Sequence, residues 1–496
     1  MKRVSFALCA TFLVLLVGGC GEQTDKGSTT IKTEKIISRN QGAKATKKIV
    51  KTKLLSSSKS SQTRTKNSLK NLHIIDASTM IDWIEDWQNN RPKDVKGKLV
   101  VLQVGPAFAN DKHHTYIKHD DKNIFTFDKA GGCSNTDPAF DRTDGVSVIP
   151  KAVLSGKMMD AAFMMYNIDP VNDMLLIVAG GDKKLKAKKE NAAATARFAW
   201  SMKYWGLKHY AVLDGNIEYM LNPKTNPSIK QKGIESIDEL FTEKASIPPM
   251  NGKHSIKEID KMDQGVMATL EEMINVVKKC PNSAFIIDAR SFDEYNANNS
   301  VKMSKTEAKI CGENHKSQCY TAIEGHIKGA KNIEYSNFIV TDDQKADANG
   351  DGKVDGFDAS FRFKTKAEIF DILKSKGYNP SKQVLYTYCR TGTRAALPAF
   401  IGLDILGVNT KLFDGSWIEW GRLAGKPGTK DVNGDLLLRC DSPWRTDTAE
   451  LTEKLIYNPS NLVAPIIREN SPLEVDEYAC SANKIKDDDC AYLHDK

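Results

Sequence analysis

An internal repeat constrains the fold of this chain more than any other feature. Three short stretches of the first half recur in the second: residues 72–78 and 285–291, 149–152 and 327–330, and 212–219 and 412–419. The spacing between partners is that of a whole domain and far exceeds the unit of a solenoid. The sequence therefore predicts duplicated domains, for which its 496 residues suffice.

Each half alternates short β-branched runs with helical patterns. Residues Ala284–Asp288 and 383–388 are typical of buried strands, and residues 366–377 predict a helix with Ile369 on its apolar face and a stop at Gly377. Alternating strands and helices indicate an α/β fold, with a mostly parallel sheet flanked by helices in each half. Ligands of such sheets bind at the carboxyl ends of the strands.

The N-terminus has the layout of a secretory signal. Lys2 and Arg3 precede an apolar stretch at 4–17 that is too short to span a bilayer comfortably. The end of that stretch, Val-Gly-Gly-Cys at 17–20, resembles the bacterial lipobox. The resemblance implies a lipoprotein of the bacterial cell envelope, cut before Cys20 and acylated on it, with weak preference for the outer membrane. A plain signal peptide with an incidental Cys is the alternative.

Residues 21–70 predict a flexible tether. The segment is rich in Ser, Thr and Lys and has no aromatic residue, so it cannot bury enough apolar surface to offset its chain entropy. It carries 13 Lys/Arg and 3 Asp/Glu, a net +10, and residues 1–20 add +2. Because the whole chain has a net charge of +8, residues 71–496 carry 8 − 2 − 10 = −4. We therefore expect no nucleic-acid-binding domain, with polyanion binding by the tether as the minor alternative.

The predicted strand 383–388 runs directly into Cys389-Arg390-Thr391-Gly392-Thr393-Arg394, and a helix pattern follows. The thiol would thus lie at a strand end and at a helix N-terminus, under inward-pointing N–H groups. Such a setting stabilises a thiolate, which is the nucleophilic form. Arg390 and Arg394 could hold an anionic substrate through forked hydrogen bonds.

These motifs resemble a tandem rhodanese-type sulfurtransferase. The matching residues are Ile-Asp-Ala-Arg at 287–290 with Glu294 and Tyr295, Gly-His-Ile-Lys-Gly-Ala at 325–330, Arg-Phe-Lys at 362–364, the 389–394 loop, and Asp-Gly-Ser-Trp-Ile-Glu-Trp at 414–420. The resemblance is strong over about 280–425 and weaker over 72–220. It implies two rhodanese-like domains, of which the first has no Cys in its loop at 178–182 and would close one wall of the cleft.

The resemblance also implies a mechanism. Cys389 would take a sulfane sulfur from a small anionic donor such as thiosulfate and pass it, as a persulfide, to a thiol or cyanide. Arg390, Thr391, Gly392, Thr393 and Arg394 would bind the substrate. Glu294 is a departure from the cationic residue that tandem thiosulfate sulfurtransferases often carry, which puts thiosulfate in doubt. Phosphatases of a related fold use a Cys-x5-Arg loop, one residue longer than here, so phosphate or arsenate chemistry and an inert loop are minor alternatives.

The predicted organisation has five segments: a lipoprotein signal peptide (1–19), a lipid-anchored tether (20–70), an N-terminal rhodanese-like domain without the Cys (71–245), a C-terminal rhodanese domain (265–440) and a C-terminal tail (441–496). Pro-containing stretches near 225–265 mark the boundary between the two domains.

Residues 347–358 match a calcium-binding loop of the EF-hand type. The expected ligands are the side chains of Asp347, Asn349, Asp351, Asp355 and Asp358 and the backbone carbonyl of Lys353. Gly352 would make the sharp turn, and Val354 would face the core. Asp358 replaces the usual Glu and reaches less far. We expect a structural calcium ion, with a plain Asp/Gly-rich turn as the alternative.

The remaining Cys and His residues point to structure rather than cofactors. Local disulfides are expected at Cys311–Cys319 and Cys480–Cys490, although connectivity cannot be read from sequence. His326 belongs to the family's Gly-His step and is expected to be structural. The sequence has no Cys-x2-Cys-His haem motif and no Gly-rich nucleotide loop, so neither haem nor a nucleotide is expected.

A second function remains open beside the enzyme. The chain could be a non-catalytic, or sulfur- or selenium-carrying, accessory lipoprotein of a membrane redox complex. Its inserts and tail would then contact other envelope proteins.

Overall fold

The structure is a computed structural model that describes residues 73–104, 116–128, 142–143, 148–149, 151–180, 188–279, 282–296, 325–342, 347, 352–354, 358–422 and 484–495. The predicted signal peptide, Cys20 and the tether lie outside the described residues, as do Asn349, Asp351 and Asp355. Among the described helices, none combines the length and apolar character needed to cross a membrane.

The first half of the chain forms a five-stranded parallel sheet with short strands around it. Its strands are β1 (Ile74–Ile75), β2 (Leu99–Val104), β3 (Tyr116–Ile117), β4 (Ile124–Asp128), β5 (Arg142–Thr143), β6 (Val148–Ile149), β7 (Met174–Ala179), β8 (Tyr210–Asn216) and β9 (Phe241–Thr242). The sheet order is β1–β8–β7–β2–β4, and the pairs β3–β9 and β5–β6 are antiparallel. All residues of β2 and β7 are buried, as expected for parallel strands covered on both faces.

Five helices accompany this sheet: α1 (Ala77–Glu85), α2 (Trp87–Asn90), α3 (Gly156–Tyr166), α4 (Lys188–Tyr204) and α5 (Ile217–Met220). The carboxylate of Asp76 accepts a hydrogen bond from the backbone N–H of Thr79 at 2.8 Å and thereby caps α1. Helix α4 is the longest helix described, and buried Ala192, Ala196 and Ala199 allow close packing around it.

The second half forms a second sheet. Its strands are β10 (Met267–Ala268), β11 (Ala284–Asp288), β12 (Lys331–Asn332), β13 (Ile339–Asp342), β14 (Ser360–Phe363), β15 (Val384–Tyr388) and β16 (Thr410–Phe413), and its helices are α6 (Leu270–Lys279), α7 (Phe292–Tyr295), α8 (Lys366–Ser375), α9 (Ala396–Phe400) and α10 (Ser416–Arg422). The sheet order is β10–β16–β15–β11–β12 with parallel pairs throughout, while β13 and β14 form an antiparallel ribbon. The predicted α/β fold with parallel sheets flanked by helices is confirmed.

Two helices of the second half end where glycine permits a left-handed turn. Helix α8 begins with a reciprocal cap between Thr365 and Glu368, and the chain leaves it through Gly377 at φ 95°. Helix α9 continues as a π-helical segment, Ile401–Leu406, before Gly407 at φ 69°. These stops agree with the glycines that the sequence marks as helix ends.

The two sheets have the same strand order, so β1, β8, β7, β2 and β4 correspond to β10, β16, β15, β11 and β12. This topology corrects two of the three sequence matches. Residues 149–152 follow β4, whereas residues 327–330 precede β12, which is the counterpart of β4, so these two stretches do not correspond. Residues 72–78 contain β1 and therefore correspond to the β10 region rather than to 285–291, which lie on β11. A short apolar run followed by Asp-Ala recurs at both places, and sequence cannot tell neighbouring buried strands apart. The match of 212–219 with 412–419 is consistent with the topology, because it joins β8 to β16.

The two halves share one hydrophobic core. Helix α4 of the first half packs against α9 of the second. Buried Asp404, beside α9, binds three groups of the first half: His73 Nδ1 at 2.7 Å, Lys203 Nζ at 3.2 Å and the hydroxyl of Tyr210 at 3.2 Å. Polar and apolar contacts thus hold the halves together.

The C-terminal segment ends in a helix, α11 (Lys484–His494), that packs back onto the first half. Asp489 is 1% exposed and accepts two hydrogen bonds from Arg142, both at 2.8 Å, and one from the hydroxyl of Tyr204 at 2.9 Å. Tyr492 donates to Asp160 at 2.5 Å. The described residues 484–495 therefore pack on the folded core.

Cysteine usage differs from expectation at one place. Cys490, on α11, is a free thiol, so the suggested Cys480–Cys490 disulfide is not formed in the structure. The packing of α11 on the first half fixes where Cys490 lies. The short spacing of the two cysteines in the sequence does not reveal that position. Cys311 and Cys319 lie outside the described residues.

Candidate active site

The 389–394 loop lies at the carboxyl end of β15, the central strand of the second sheet. Cys389 is 1% exposed. Its backbone N–H donates to Ser416 Oγ at 3.3 Å, and its carbonyl accepts the N–H of Trp417 at 2.9 Å. The carbonyl of Arg390 accepts the N–H of Ile418 at 3.0 Å. The loop is therefore fixed at its base by the start of α10, and the thiol sits at the bottom of the site.

The middle of the loop holds backbone donors without acceptors. Gly392 has a φ of 87°, which favours glycine, and its carbonyl accepts the N–H of Ala396 at 3.0 Å. In the described part of the chain, the backbone N–H groups of Thr391, Gly392 and Thr393 donate to no hydrogen-bond acceptor. Gly392 is buried and the two Thr residues are half-buried. Successive free N–H groups beside a thiol form a site for an anion.

Arg394 closes the loop and is bound by Glu294 of α7. Its Nη1 and Nη2 atoms lie 2.6 and 2.8 Å from the two carboxylate oxygens. Burial alone would raise the pKa of Glu294, but the charge and hydrogen bonds of Arg394, with Arg290 and Arg390 nearby, hold that pKa far below its ordinary value. Glu294 is therefore ionised at neutral pH. The predicted substrate-binding Arg394 is engaged by a carboxylate that sequence reasoning marked only as a departure.

A buried polar cluster lies next to the loop at the end of β11. Arg290 is fully buried, donates to Asp288 through Nη2 at 2.6 Å and lies 4.8 Å from the ring centre of Trp417. The hydroxyl of Tyr388, which precedes Cys389, donates to Asp288 at 2.7 Å. Burial and the charge of Asp288 raise the pKa of Tyr388 well above its ordinary value. The cluster is therefore a stable ionic support for the strand that carries the thiol.

His326 has a structural environment, as expected. Its ring stacks on Tyr295 with ring centres 3.6 Å apart, and its Nδ1 lies 2.9 Å from the carbonyl oxygen of Tyr295. The hydroxyl of Tyr295 donates to the carbonyl of Ala330 at 2.9 Å. These contacts anchor α7, and with it Glu294, beside the loop.

Sequence reasoning missed one residue that reaches the loop from the first half. Arg197 of α4 pairs with Asp414, and Asp414 lies directly below Gly392. The repeat pattern does not indicate this contact, because Arg197 and Asp414 are 217 positions apart. In the equivalent place of the first half, β7 ends at Ala179, and Asn191 Nδ2 donates to the carbonyl of Gly180 at 2.8 Å.

The structure describes part of the calcium-type loop. The N–H of Gly352 donates to Asp347 Oδ2 at 2.8 Å, and Gly352 has a φ of 87°, as the predicted turn requires. Asp358 is fully buried. The expectation that Val354 faces the core is wrong, because its side chain is 48% exposed. Among the described residues, no second calcium-type loop covers the Val354 side chain.

Comparison with known proteins finds a family match for part of the chain. Residues 269–423 match the family model described as "Rhodanese-like domain". The matched segment contains the Cys389 loop, Glu294 and Asp414.

Several curated proteins resemble the chain. "Sulfur carrier protein TtuD" of Thermus thermophilus is 26% identical over 271 residues, which cover 54% of this chain and 75% of that protein. A "Putative thiosulfate sulfurtransferase" of Mycolicibacterium smegmatis is 27% identical over 257 residues, or 52% of this chain and 71% of that protein. The "Putative thiosulfate sulfurtransferase 1" of Mycobacterium bovis is 30% identical over 166 residues, which cover 33% of this chain and 48% of that protein. The relatives are thus sulfurtransferases or sulfur carriers by description.

Solved structures resemble the chain at lower identity. The Tum1 protein of Saccharomyces cerevisiae superposes with a TM-score of 0.43 and 16% identity, covering 70% of this chain and 94% of its own. The YnjE crystal structure gives the same TM-score and identity and covers 70% of this chain and 66% of its own.

Proposed function

We propose that the protein is a sulfurtransferase that moves a sulfane sulfur from a donor such as thiosulfate to a thiophilic acceptor through a persulfide on Cys389. The observation that carries this proposal is the buried Cys389 at the end of β15, beside three backbone N–H groups without acceptors. The rhodanese-like match over 269–423 and the descriptions of the relatives support the same chemistry.

The proposed reaction has two half-reactions. The Cys389 thiolate attacks the outer sulfur of thiosulfate, a new S–S bond forms, and the old S–S bond breaks with its electron pair leaving on sulfite. A thiolate or cyanide then attacks the outer sulfur of the persulfide, and the Cys389 thiolate leaves. Each half-reaction needs an anion held at the loop, which the N–H groups of residues 391–393 can stabilise. One covalent intermediate shared by both predicts ping-pong kinetics.

The burial of Cys389 restricts the substrate. A thiol that is 1% exposed can be reached only by a small or extended group. A terminal sulfane sulfur has that shape, whereas a folded polypeptide surface does not. Since Arg394 is engaged by Glu294, the loop N–H groups carry most of the donor recognition in this proposal, together with Arg390.

Intact mass spectrometry tests the proposal. Purified protein is incubated with thiosulfate, beside a Cys389→Ser variant as the matched control. One sulfur atom added to the native protein, absent from the variant and removed by cyanide, is the expected result. No added sulfur from thiosulfate, an organic persulfide or polysulfide, with the thiol shown to be free, would refute it.

A carrier role is the second candidate, favoured by the description of the Thermus relative as a sulfur carrier protein. In that role the persulfide would form on Cys389 and pass only to a partner protein of the cell envelope. Persulfide formation without turnover to cyanide or small thiols would support the carrier role over the enzyme.

We further propose that the protein is lipid-anchored in the bacterial cell envelope through Cys20. Metabolic labelling with a fatty acid tests this, with Cys20→Ala as the control. Label in the native protein and none in the variant is expected, and unlabelled native protein found in the soluble fraction contradicts the anchor.

We also propose a structural calcium ion in residues 347–358, where Asp347, Lys353 and Asp358 would be ligands together with Asn349, Asp351 and Asp355. The turn at Gly352 and the burial of Asp358 support this fit. When bound, the ion would order the insert and take no part in sulfur transfer. Added calcium should raise the melting temperature against a chelated control, and an Asp347→Asn variant should lose the effect.

A further inference from the structure

Helix α4 of the first half reaches beneath the active-site loop of the second through Arg197. This side chain is 8% exposed. Its Nη1 lies 2.5 Å from Asp414 Oδ1, its Nη2 donates to the carbonyl of Lys151 at 3.0 Å, and its guanidinium carbon lies 4.9 Å from the ring centre of Trp200. Contacts on three sides therefore fix the orientation of the guanidinium group.

Asp414 connects this arginine to the loop. The residue is 2% exposed, and its Oδ2 accepts the N–H of Val153 at 2.8 Å. Its Oδ1 lies 2.6 Å from the place that a Cβ atom on Gly392 would occupy, and Arg197 Nη1 lies 3.3 Å from the same place. The ion pair is thus in direct contact with the backbone of Gly392, in the middle of the loop.

We propose that Arg197 is a positioning residue of the active site: it holds Asp414 in place, and Asp414 sets the position of Gly392 and the direction of the loop N–H groups. This inference rests on the proposed function. It assigns to the first half, which has no Cys in the corresponding loop, a specific part in the chemistry of the second.

The physical reason is the cost of an unpaired buried charge. Without Arg197, the buried Asp414 carboxylate would keep only the Val153 N–H as a hydrogen-bond partner among the described residues. The carboxylate would turn towards other donors, and the backbone that rests on it would shift. A displacement of about 1 Å in a catalytic group can cost a factor of about 100 in rate. Substrate contacts would change less, because Arg197 is 8% exposed and its guanidinium nitrogens are engaged by Asp414 and the carbonyl of Lys151.

The experiment compares three variants of the full chain with the native protein: Arg197→Gln, Arg197→Lys and Lys203→Gln. The last is a matched control, because Lys203 lies on the same helix and joins the same halves, while its partner Asp404 keeps His73 and Tyr210. Two properties are measured: kcat and KM for sulfur transfer from thiosulfate to cyanide, and the rate of Cys389 alkylation by iodoacetamide. Alkylation reports on the thiol without requiring sulfur transfer.

For Arg197→Gln we expect kcat to fall by a factor of about 10 to 100, with KM changed by less than about twofold. Alkylation should slow about tenfold, since the thiolate loses its aligned N–H groups. Arg197→Lys should recover most of kcat, because it keeps the charge opposite Asp414. Lys203→Gln should match the native protein in both measurements.

Unchanged kcat and alkylation in Arg197→Gln would overturn the inference, as would equal losses in Lys203→Gln. If the native protein transfers no sulfur, the proposed function fails, and the alkylation rates alone decide the positioning role. If Arg197→Gln does not fold, Asp414→Asn replaces it. That variant keeps an acceptor for the Val153 N–H, and native alkylation in it would equally overturn the inference.

Discussion

Replacing Glu294 by Gln should measurably destabilise the protein, and the structure allows the size of the effect to be worked out. The carboxylate accepts two hydrogen bonds from Arg394 at 2.6 and 2.8 Å, and the two side chains are 18% and 25% exposed. Glutamine keeps the shape but only one acceptor, and it removes the charge. Exposed ion pairs contribute up to about 1 kcal/mol, and breaking a buried pair costs about 3–5 kcal/mol. For this half-buried pair we expect a loss of about 2 kcal/mol.

Thermal unfolding at neutral pH provides the assay. With an unfolding entropy of about 2.1 cal/mol/K per residue, about 2 kcal/mol corresponds to a decrease of about 2 °C in the Tm of a folded unit of about 400 residues. Glu368→Gln is the matched control. Glu294 and Glu368 each take part in a reciprocal cap, at the starts of α7 and α8, but Glu368 lies in solvent. The control variant should lower Tm by much less.

The pH dependence of the difference supplies a second test. The pKa of Glu294 is lowered in the folded state, so its stabilising effect is present above the unfolded-state pKa of about 4.3 and is lost as pH falls towards the folded-state pKa. The Tm difference between native protein and Glu294→Gln should therefore be constant from about pH 8 to 5.5 and shrink below about pH 4.3. A gap that widens on acidification, or a Glu294→Gln variant no less stable than Glu368→Gln, would refute this reasoning.

Three further predictions concern single side chains. Gly392→Ala should abolish sulfur transfer with the fold retained by circular dichroism, because the added Cβ would lie 2.6 Å from Asp414 Oδ1 and φ is 87°; native turnover would contradict the loop geometry. Asp489→Asn should leave Arg142 without its charged partner, so α11 should lose hydrogen-exchange protection before the rest of the fold, and equal protection would contradict its docking. Tyr378→Phe should keep or raise Tm, since burial raises the pKa of Tyr378 to about 12 and its hydroxyl has no hydrogen-bond partner in the described chain; a clear loss of stability would reveal a missing partner.

Local chemistry explains which features could be predicted from the sequence. Strands β11 and β15 are continuous apolar runs, α8 ends at a glycine, and the 389–394 loop joins a strand to a helix. Each of these signals lies within about a dozen neighbouring residues, where hydrophobic period and turn chemistry decide the structure.

Long-range polar contacts could not be predicted in the same way. Glu294 meets Arg394 across 100 positions, Arg197 meets Asp414 across 217, and Asp489 meets Arg142 across 347. No periodic pattern around either residue of a pair indicates the other residue. The assignment of 72–78 to the wrong strand has the same origin, because buried parallel strands have similar sequences and differ only in where they pair. The exposure of Val354 could not be predicted either, because the calcium-loop pattern does not show which element covers that side chain.

The docking of α11 has a consequence for the order in which the chain folds. A contact between residues 142 and 489 closes only after the 347 positions that separate them have been synthesised. Contacts of such high sequence separation slow folding and leave earlier segments incomplete until the last ones arrive. Arg142 and Tyr204 therefore stay without their shared carboxylate partner in every chain that lacks residues 484–495. The docking of α11 is thus a late step in the folding of the first half, on which it packs.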